Sequence, residues 1–513
     1  MRHAPLPALA LLPLALVGAC TVGPDYHGPP ATAADAVQRG SFVRAADPAL
    51  RPGPGVARWW AGLGDATLTA LVDDALAHSP TIDAAQARIR EAGARLRTQR
   101  ANQLPSISPS ATYLHARLPG TALGSGSGGS GDAGGEASSS GSDSSAVDFY
   151  NLGGTASWEP DLFGARRRGI EGARATVEER FADLADAQVS LSAQVAQAYV
   201  GLRDVQERVR LNAESSRLQQ RQLELTQQRY AAGAASQLQV ERLQNQLEST
   251  DAQRIPLGAQ VAQYLDQLAV LTGRTPGALD QTLTTAMPVP LPPAEVPIGD
   301  PAALIAHRPD IRSAERALAA SNAQIGVNTA KLFPSLSFLG IFGLGGTNIG
   351  DVVDPNKLTA LVAPMLSWSF LDFGRTRAAI DQSEAQRDVA AAQYRERVLE
   401  ALQDAETSLS RFGNTRLQYA QLLRAEQSAA RAATLNSQRV AAGTSNVIDQ
   451  LDVERQRLSA AIAVAQAKAQ LTDSYITVQK SLGLGWSEPQ GLNSPANERS
   501  PEDSDDTQRH RPQ

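Results

Sequence analysis

The chain has 513 residues, 42% of them hydrophobic, and its 47 Lys and Arg against 53 Asp and Glu leave a formal charge of −6. That mild acidity argues against a nucleic-acid partner, which would call for a basic surface. The single cysteine, Cys20, excludes an internal disulfide framework and any Cys-rich zinc site.

The N-terminus opens on Met1, Arg2 and His3. An apolar run over residues 4 to 17 follows, ending in Val17-Gly18-Ala19-Cys20. The run is too short, and too broken by Pro5, Pro7 and Pro13, to span a membrane. The pattern resembles a bacterial lipoprotein signal. That resemblance implies a signal peptide over 1–19, a covalent lipid on Cys20, and sorting to the outer membrane because Thr21 stands where Asp would retain the protein. An ordinary secretory signal with an incidental Cys is the alternative. Residues 20–57 read as a lipid-anchored linker.

Two repeats follow. HSPTI at 78–82 returns as HRPDI at 307–311, and LPSIS at 104–108 returns as FPSLS at 333–337, each shifted by 229 (307 − 78, 333 − 104). Trp158 with DLFG at 161–164 returns as Trp368 with LDFG at 371–374, and QRYAAG at 228–233 as QRVAAG at 438–443, each shifted by 210 (368 − 158, 438 − 228). The first repeat therefore covers 58–275 and the second 301–486. A Pro-rich linker over 276–300 joins them, and a polar tail over 487–513 reads as disordered. The 19 lost residues (229 − 210) lie between Pro105 and Trp158, an interval that holds a Gly/Ser tract with the composition of a flexible loop.

Around the loop of each repeat the pattern is that of strands. Tyr150, Leu152, Ala156 and Trp158 alternate with Asn151, Gly153, Thr155 and Ser157. Leu336, Phe338, Phe342 and Leu344 share a face, as do Leu358, Val362, Leu366 and Trp368. This period of two predicts strands at about 148–158, 335–344 and 358–370. A fourth, at about 106–118, is weaker because Pro109 interrupts it.

The period then changes. No proline occurs between Pro160 and Pro256 or between Pro364 and Pro489. Ile170, Val177, Leu184, Leu191, Ala198 and Val205 recur every seven residues, with Phe181, Val195, Leu202 and Val209 as the companion row. That is a coiled-coil seam, and one helix from Arg166 to Ala232 would run about 100 Å. Val398, Leu402, Ala405, Leu409 and Phe412 repeat the spacing.

Gly233 can take the left-handed conformation that ends a helix, and Ser236 with Gln239 has capping-box spacing for the next one. Gly443, Asn446 and Asp449 occupy the matching positions. Helical-hairpin turns are thus predicted at about 231–236 and 441–446, far along the chain from the strands.

Four strands cannot close a membrane barrel in one chain, and an open sheet in lipid leaves backbone groups unsatisfied. If these strands span a membrane, several chains share one barrel. Trp158 and Trp368 would then suit an aromatic girdle; a buried core is the other reading.

Gly23-Pro24-Asp25-Tyr26 after Cys20, RWWAGLGDATLTALVDDAL at 58–76, HRPDI, LFPSLS, WEPDLFG at 158–164, RYAAGAASQLQV at 229–240 and SLGLGW at 481–486 together resemble the outer-membrane efflux protein family, the TolC-like outer membrane factors. Within it they are most similar to the lipoprotein branch typified by OprM and NodT. The resemblance implies a mainly α fold with a β-barrel part. In the homotrimer, each tandem-repeat protomer would give four strands to a twelve-stranded outer-membrane barrel and its long coiled-coil hairpins to a periplasmic α-helical tunnel. It implies contact with outer-membrane lipid, a periplasmic membrane-fusion adaptor and an inner-membrane RND-type transporter. The turns would form the docking tip, with Arg229, Gly233, Arg439 and Gly443 as contacts. Asp449 and Asp452 resemble the aspartates that ring the closed periplasmic aperture, although an acid at Asp449 also suits a helix start. An offset of 210 sets Gln239 and Arg242 against these two acids, whereas 213 would align QVER with DVER.

No HExxH, GxxxxGK[ST] or CxxC motif supports catalysis, a metal site or a cofactor beyond the lipid on Cys20. His78 and His307 are repeat equivalents at helix junctions and read as structural. A passive efflux duct, driven by a partner, is the leading function. A duct for type I protein secretion is the alternative, and a trimeric coiled-coil adhesin a distant third.

Overall fold

The computed structural model describes residues 21–118 and 145–487. The signal segment 1–19, Cys20, most of the Gly/Ser tract and the tail beyond 487 lie outside the described residues. In chain order the elements are α1 (Ala34–Arg39), β1 (Leu50–Arg51), a 3-10 turn (Trp59–Leu63), α2 (Ala66–His78), α3 (Pro80–Ala101), β2 (Ser106–Leu118) and β3 (Ser145–Trp158). Next come α4 (Ala165–Ala231), α5 (Gln237–Leu271), α6 (Asp280–Leu283), β4 (Val296–Pro297), α7 (Pro301–His307) and α8 (Pro309–Ala330). Last are β5 (Ser335–Gly346), a 3-10 turn (Ile349–Val353), β6 (Leu358–Ser367), α9 (Arg375–Ala441) and α10 (Val447–Ser481).

Element lengths repeat as the motifs do. Helices α3 and α8 are both 22 residues long and start 229 apart (309 − 80). Helices α4 and α9 both have 67 residues and α5 and α10 both have 35, each pair starting 210 apart (375 − 165, 447 − 237). The seam explains such length: Leu191, Val195, Ala198, Leu202 and Val205 are buried, as are Val398, Ala405, Leu409 and Phe412. A helix this long is held by packing its apolar stripe, since propensity alone sustains far shorter ones.

Close packing groups the residues crosswise to the repeats, so that each of two units draws on both. One unit contains residues 87–181 and 313–396 with the segment up to 31; the other contains 32–86, 182–312 and the chain from 397 onward.

The first unit carries a four-stranded antiparallel sheet in the order β2-β3-β5-β6. Its hairpins share one register: Ser106 faces Ser157 in the first, and Ser335 faces Ser367 in the second. Strand β2 forms in spite of Pro109, opposite Gly154, because it is an edge strand, where a missing N–H costs the ladder least. Strand β6 stops at Ser367, so Trp368 lies just beyond the ladder. Beside the sheet, the Gly-Pro-Asp-Tyr motif lies against α4 and α8. Arg168, buried, donates to Asp25 at 2.5 Å and to the carbonyls of Val22 and Gly23 at 3.3 Å each. The Tyr26 hydroxyl donates to Glu315 at 2.8 Å, and Asn322 donates to the Pro24 carbonyl at 3.0 Å. Gly23 is required there, because a Cβ would lie 2.5 Å from the Cα of Gly326.

The second unit has an aromatic and polar core. Trp59 meets Trp60 and Tyr475 edge-on at 5.6 and 6.0 Å between ring centroids. Arg203 is fully buried against the Tyr199 ring and donates to Gln206 and to the carbonyls of Leu283 and Thr285, tying the inter-repeat linker to α4. Arg308 of the HRPDI motif donates twice to Asp310 and once to the Ser481 carbonyl, at 2.8 to 2.9 Å. Burial works against its charge, yet the Asp310 and Asp404 carboxylates outweigh that and hold the guanidinium above its ordinary pKa. His78 and His307 each donate Nδ1–H to the carbonyl four residues earlier at 3.1 Å, an equivalent helix-end role in both repeats. Two-residue strands β1 and β4 pair in parallel, joining the N-terminal linker to the inter-repeat linker.

Candidate functional site

The two helical-hairpin turns have the same backbone. Helix α4 ends where Gly233 takes φ +73, with its N–H bonded to the Tyr230 carbonyl at 2.9 Å and the Ala234 N–H to the Arg229 carbonyl at 2.7 Å. Helix α9 ends where Gly443 takes φ +70, with its N–H on Val440 at 3.0 Å and the Thr444 N–H on Arg439 at 2.8 Å. Both are Schellman caps, in which a residue past the helix closes the last carbonyls and glycine avoids the Cβ strain of the left-handed region. A Cβ on either glycine would meet nothing within 4 Å, so each turn presents bare backbone to open space.

The next helix starts differently in each repeat. Ser236 and Gln239 form a reciprocal capping box on α5. On α10, Asn446 accepts the Asp449 N–H at 2.8 Å and returns its own amide to the Asp449 carboxylate at 2.8 Å. Both N-caps sit at the 210 offset (446 − 236), which fixes the register: Gln239 and Arg242 occupy the places of Asp449 and Asp452. Any acidic pair at this level thus comes from the second repeat.

The structure brings Arg229 together with Gly233, and Arg439 together with Gly443. Arg439 also donates to the Thr444 carbonyl at 3.3 Å, folding its side chain over the turn. Asp452 lies one turn after Asp449, where it pairs with Arg455 at 2.6 Å and accepts from Gln456 at 3.2 Å. Cys20 lies outside the described residues.

One feature of the second hairpin escapes a periodicity reading. Asn436 donates to Gln450 at 2.9 Å and accepts from Ser445 at 3.0 Å, while Gln450 donates to the Ala433 carbonyl at 3.3 Å. These bonds tie α9 to α10 beside the turn. In the first hairpin the equivalent positions are Thr226, Val240 and Ala235, and the Thr226 hydroxyl is buried without a hydrogen-bond partner. Only a side-by-side reading of the two repeats signals the difference, since isolated polar residues leave the heptads intact.

The sheet is the other candidate surface. Leu358, Leu361, Val362, Met365 and Leu366 along β6 are all exposed, on both faces, and so are Ile107, Tyr113 and Leu114 on β2. Trp158 and Trp368 are also exposed, against the buried-core reading, and each donates its indole N–H to a carbonyl preceding the neighbouring strand, Gln103 at 2.9 Å and Leu332 at 3.0 Å. Among the described residues no helix is long and apolar enough to cross a membrane.

With this geometry in view, the relatives are informative. The family model described as outer membrane efflux protein matches residues 71–274 and 301–484, one block in each repeat. The pyoverdine export outer membrane protein OpmQ of Pseudomonas aeruginosa is 31% identical over 443 residues, covering 85% of this chain and 89% of its own. Nodulation protein T of Rhizobium leguminosarum bv. trifolii is 27% identical over 472 residues, 92% of this chain and 96% of its own. Among solved structures, the outer-membrane channel OprN matches with a TM-score of 0.79 and 32% identity, over 91% of this chain and 100% of that one. The mostly helical fold is that of the TolC-like outer-membrane channels, and the chain belongs to the outer membrane efflux protein family.

Proposed function

We propose that three copies of this chain form the exit duct of a tripartite efflux pump, anchored in the outer membrane by a lipid on Cys20. The observation that carries the reading is the four-stranded sheet with two unpaired edges and apolar residues exposed on both faces. In lipid each unpaired backbone group costs several kcal/mol, so a spanning sheet must find its missing neighbours in other copies. Three sheets make a twelve-stranded barrel, within the size range of outer-membrane barrels. The exposed tryptophans at the strand ends would lie at its aromatic girdle.

The helical hairpins would enclose the periplasmic tunnel, and their turns would meet a membrane-fusion adaptor that links the duct to an inner-membrane RND-type transporter. Gly233 and Gly443 suit that docking because their backbone is uncovered, with Arg229 and Arg439 beside them. Asp449 and Asp452, three copies of each, would ring the aperture and draw cations toward it. The chain would conduct passively and hold no cofactor, the energy coming from the transporter. The export and efflux named for its relatives favours small toxic solutes over secreted protein as cargo.

Deleting the gene and measuring susceptibility across antibiotics, dyes and metals tests this reading. Sensitivity to at least one solute class, restored by the intact gene, is expected. Unchanged susceptibility, together with loss of a secreted protein, would favour type I secretion instead.

A further inference from the structure

We propose that the acidic stretch 500–508 of this chain's own C-terminal tail seats in a basic cleft on α9, where it straps the N-terminal segment to that helix. The cleft lies within the second unit and encloses about 810 Å³ between α1 with the residues after it, the first residue of α7, and the α9 face from Leu402 to Gln418. Its wall is held in place by Glu406 on α9, which accepts the Val43 N–H at 2.8 Å and the Arg44 N–H at 2.7 Å. Arg416 adds a second tie, to Asp47 at 2.9 Å.

These ties leave the cleft with a surplus of positive charge. Arg39, Arg44 and Arg411 line it and are exposed, whereas Glu406, the acid in the lining, has both oxygens occupied by backbone N–H groups. Among the described residues nothing pairs with the guanidinium of Arg39 or Arg44, and Arg411 makes no ion pair, although Asp473 lies within its electrostatic reach. A concave wall of one sign concentrates counter-charge.

The sequence supplies a matching segment. Ser487 is followed by 26 residues (513 − 487), and 500–508 reads SPEDSDDTQ, which carries Glu502, Asp503, Asp505 and Asp506 and no cation. The chain also leaves the fold beside the cleft. Gly483 lines a second cavity on α9, of about 370 Å³, which shares Gln403, Thr407 and Arg411 with the first. From Gln403 to Gln418 the helix rises about 22 Å, whereas the 14 residues from Ser487 to Pro501 (501 − 487) span up to about 50 Å extended and about 20 Å as a flexible coil. The nearer cavity does not compete for the tail. Its Asp186, Asp310 and Asp404 offset Arg308, Arg411 and Lys480, so it has no surplus charge to hold an acidic peptide. A strap held by charge loosens in salt, because the Debye length falls from about 8 Å at physiological ionic strength to about 3 Å at 1 M.

Photo-cross-linking in outer membranes from cells expressing the full chain tests this. A photo-reactive amino acid in place of the exposed Gln418 should link to the tail, and Arg499 and Arg509 let trypsin release the acidic stretch as one peptide for mass spectrometry. The yield should fall about fivefold in 1 M salt, on changing Glu502→Gln with Asp503→Asn, Asp505→Asn and Asp506→Asn, and in Arg39→Gln with Arg44→Gln. A link that survives all three would overturn the electrostatic seating. No tail link at low salt in a protein of unchanged native mass would overturn the strap, and a link to the helices of a neighbouring copy would make the cleft an interface between copies instead. A chain that carries the probe but ends at Ser487, co-expressed with the intact chain, should give no tail link; a link there would show that the tail comes from a neighbour and would overturn the same-chain seating.

Discussion

The first and second hairpin turns share a backbone and differ in chemistry. Gly233 and Gly443 take nearly the same φ, +73 and +70, and the helices that flank them have equal lengths. Around the first turn, however, stand Thr226, Ala235, Gln239 and Arg242, where the second has Asn436, Ser445, Asp449 and Asp452. Duplication copied a shape, and the side chains then separated into a plain turn and a charged, internally bonded one. A hydrogen-bonded clamp with acids beside it suits an element that holds one state until something displaces it, whereas a turn with helix caps and no such side-chain clamp suits rigid docking.

The largest effect should come from blocking the shared surface. Gly443→Trp and Gly233→Trp should each abolish efflux while the trimer stays intact, as read by drug accumulation and native mass. Gly443→Ala separates docking from strain: it costs about 1 kcal/mol in the left-handed region but adds little bulk, so it should keep most efflux. Normal efflux in Gly443→Trp would remove the docking role.

The next effect should split the turns. Asp449→Ala with Asp452→Ala should raise single-channel conductance and admit bulky antibiotics, whereas Gln239→Ala with Arg242→Ala should leave both near wild type. Equal behaviour of the two pairs would end the distinction between a gating turn and a docking turn.

Smaller effects should appear in local stability. Asn436→Ala removes the partner of the half-buried Gln450 Oε1 and of the Ser445 hydroxyl, at about 0.5–1.5 kcal/mol for each hydrogen bond lost, and should speed hydrogen exchange at the second turn. Asn446→Ala and Ser236→Ala should each cost about 1 kcal/mol at their own helix start. Thr226→Val, which removes a hydroxyl already lacking a partner, should be neutral or slightly stabilising by thermal unfolding.

Much of this was legible in the sequence because a duplication supplies an internal check. The QRYAAG and QRVAAG pair placed both turns, and the proline-free heptads marked helices whose observed ends, Ala231 and Ala441, fall at those turns. The tip register was ambiguous between 210 and 213, since four similar residues outweigh a single cap by eye; the N-caps Ser236 and Asn446 decide it. Strand β2 read weakly because Pro109 is unfavourable in a central strand, and nothing local reveals that this strand lies at an edge. The Asn436–Gln450 clamp and the buried Arg203 were not legible, because their partners are fixed only by how distant segments pack.

The central claim is that this chain is a passive duct completed by three copies. Purified, full-length protein of known native mass, placed in a planar lipid bilayer, tests it most directly. The expected result is a trimeric mass with discrete ohmic pores whose conductance rises in Asp449→Ala with Asp452→Ala. A monomeric protein, or a trimer that carries no current even with both acids removed, would contradict it.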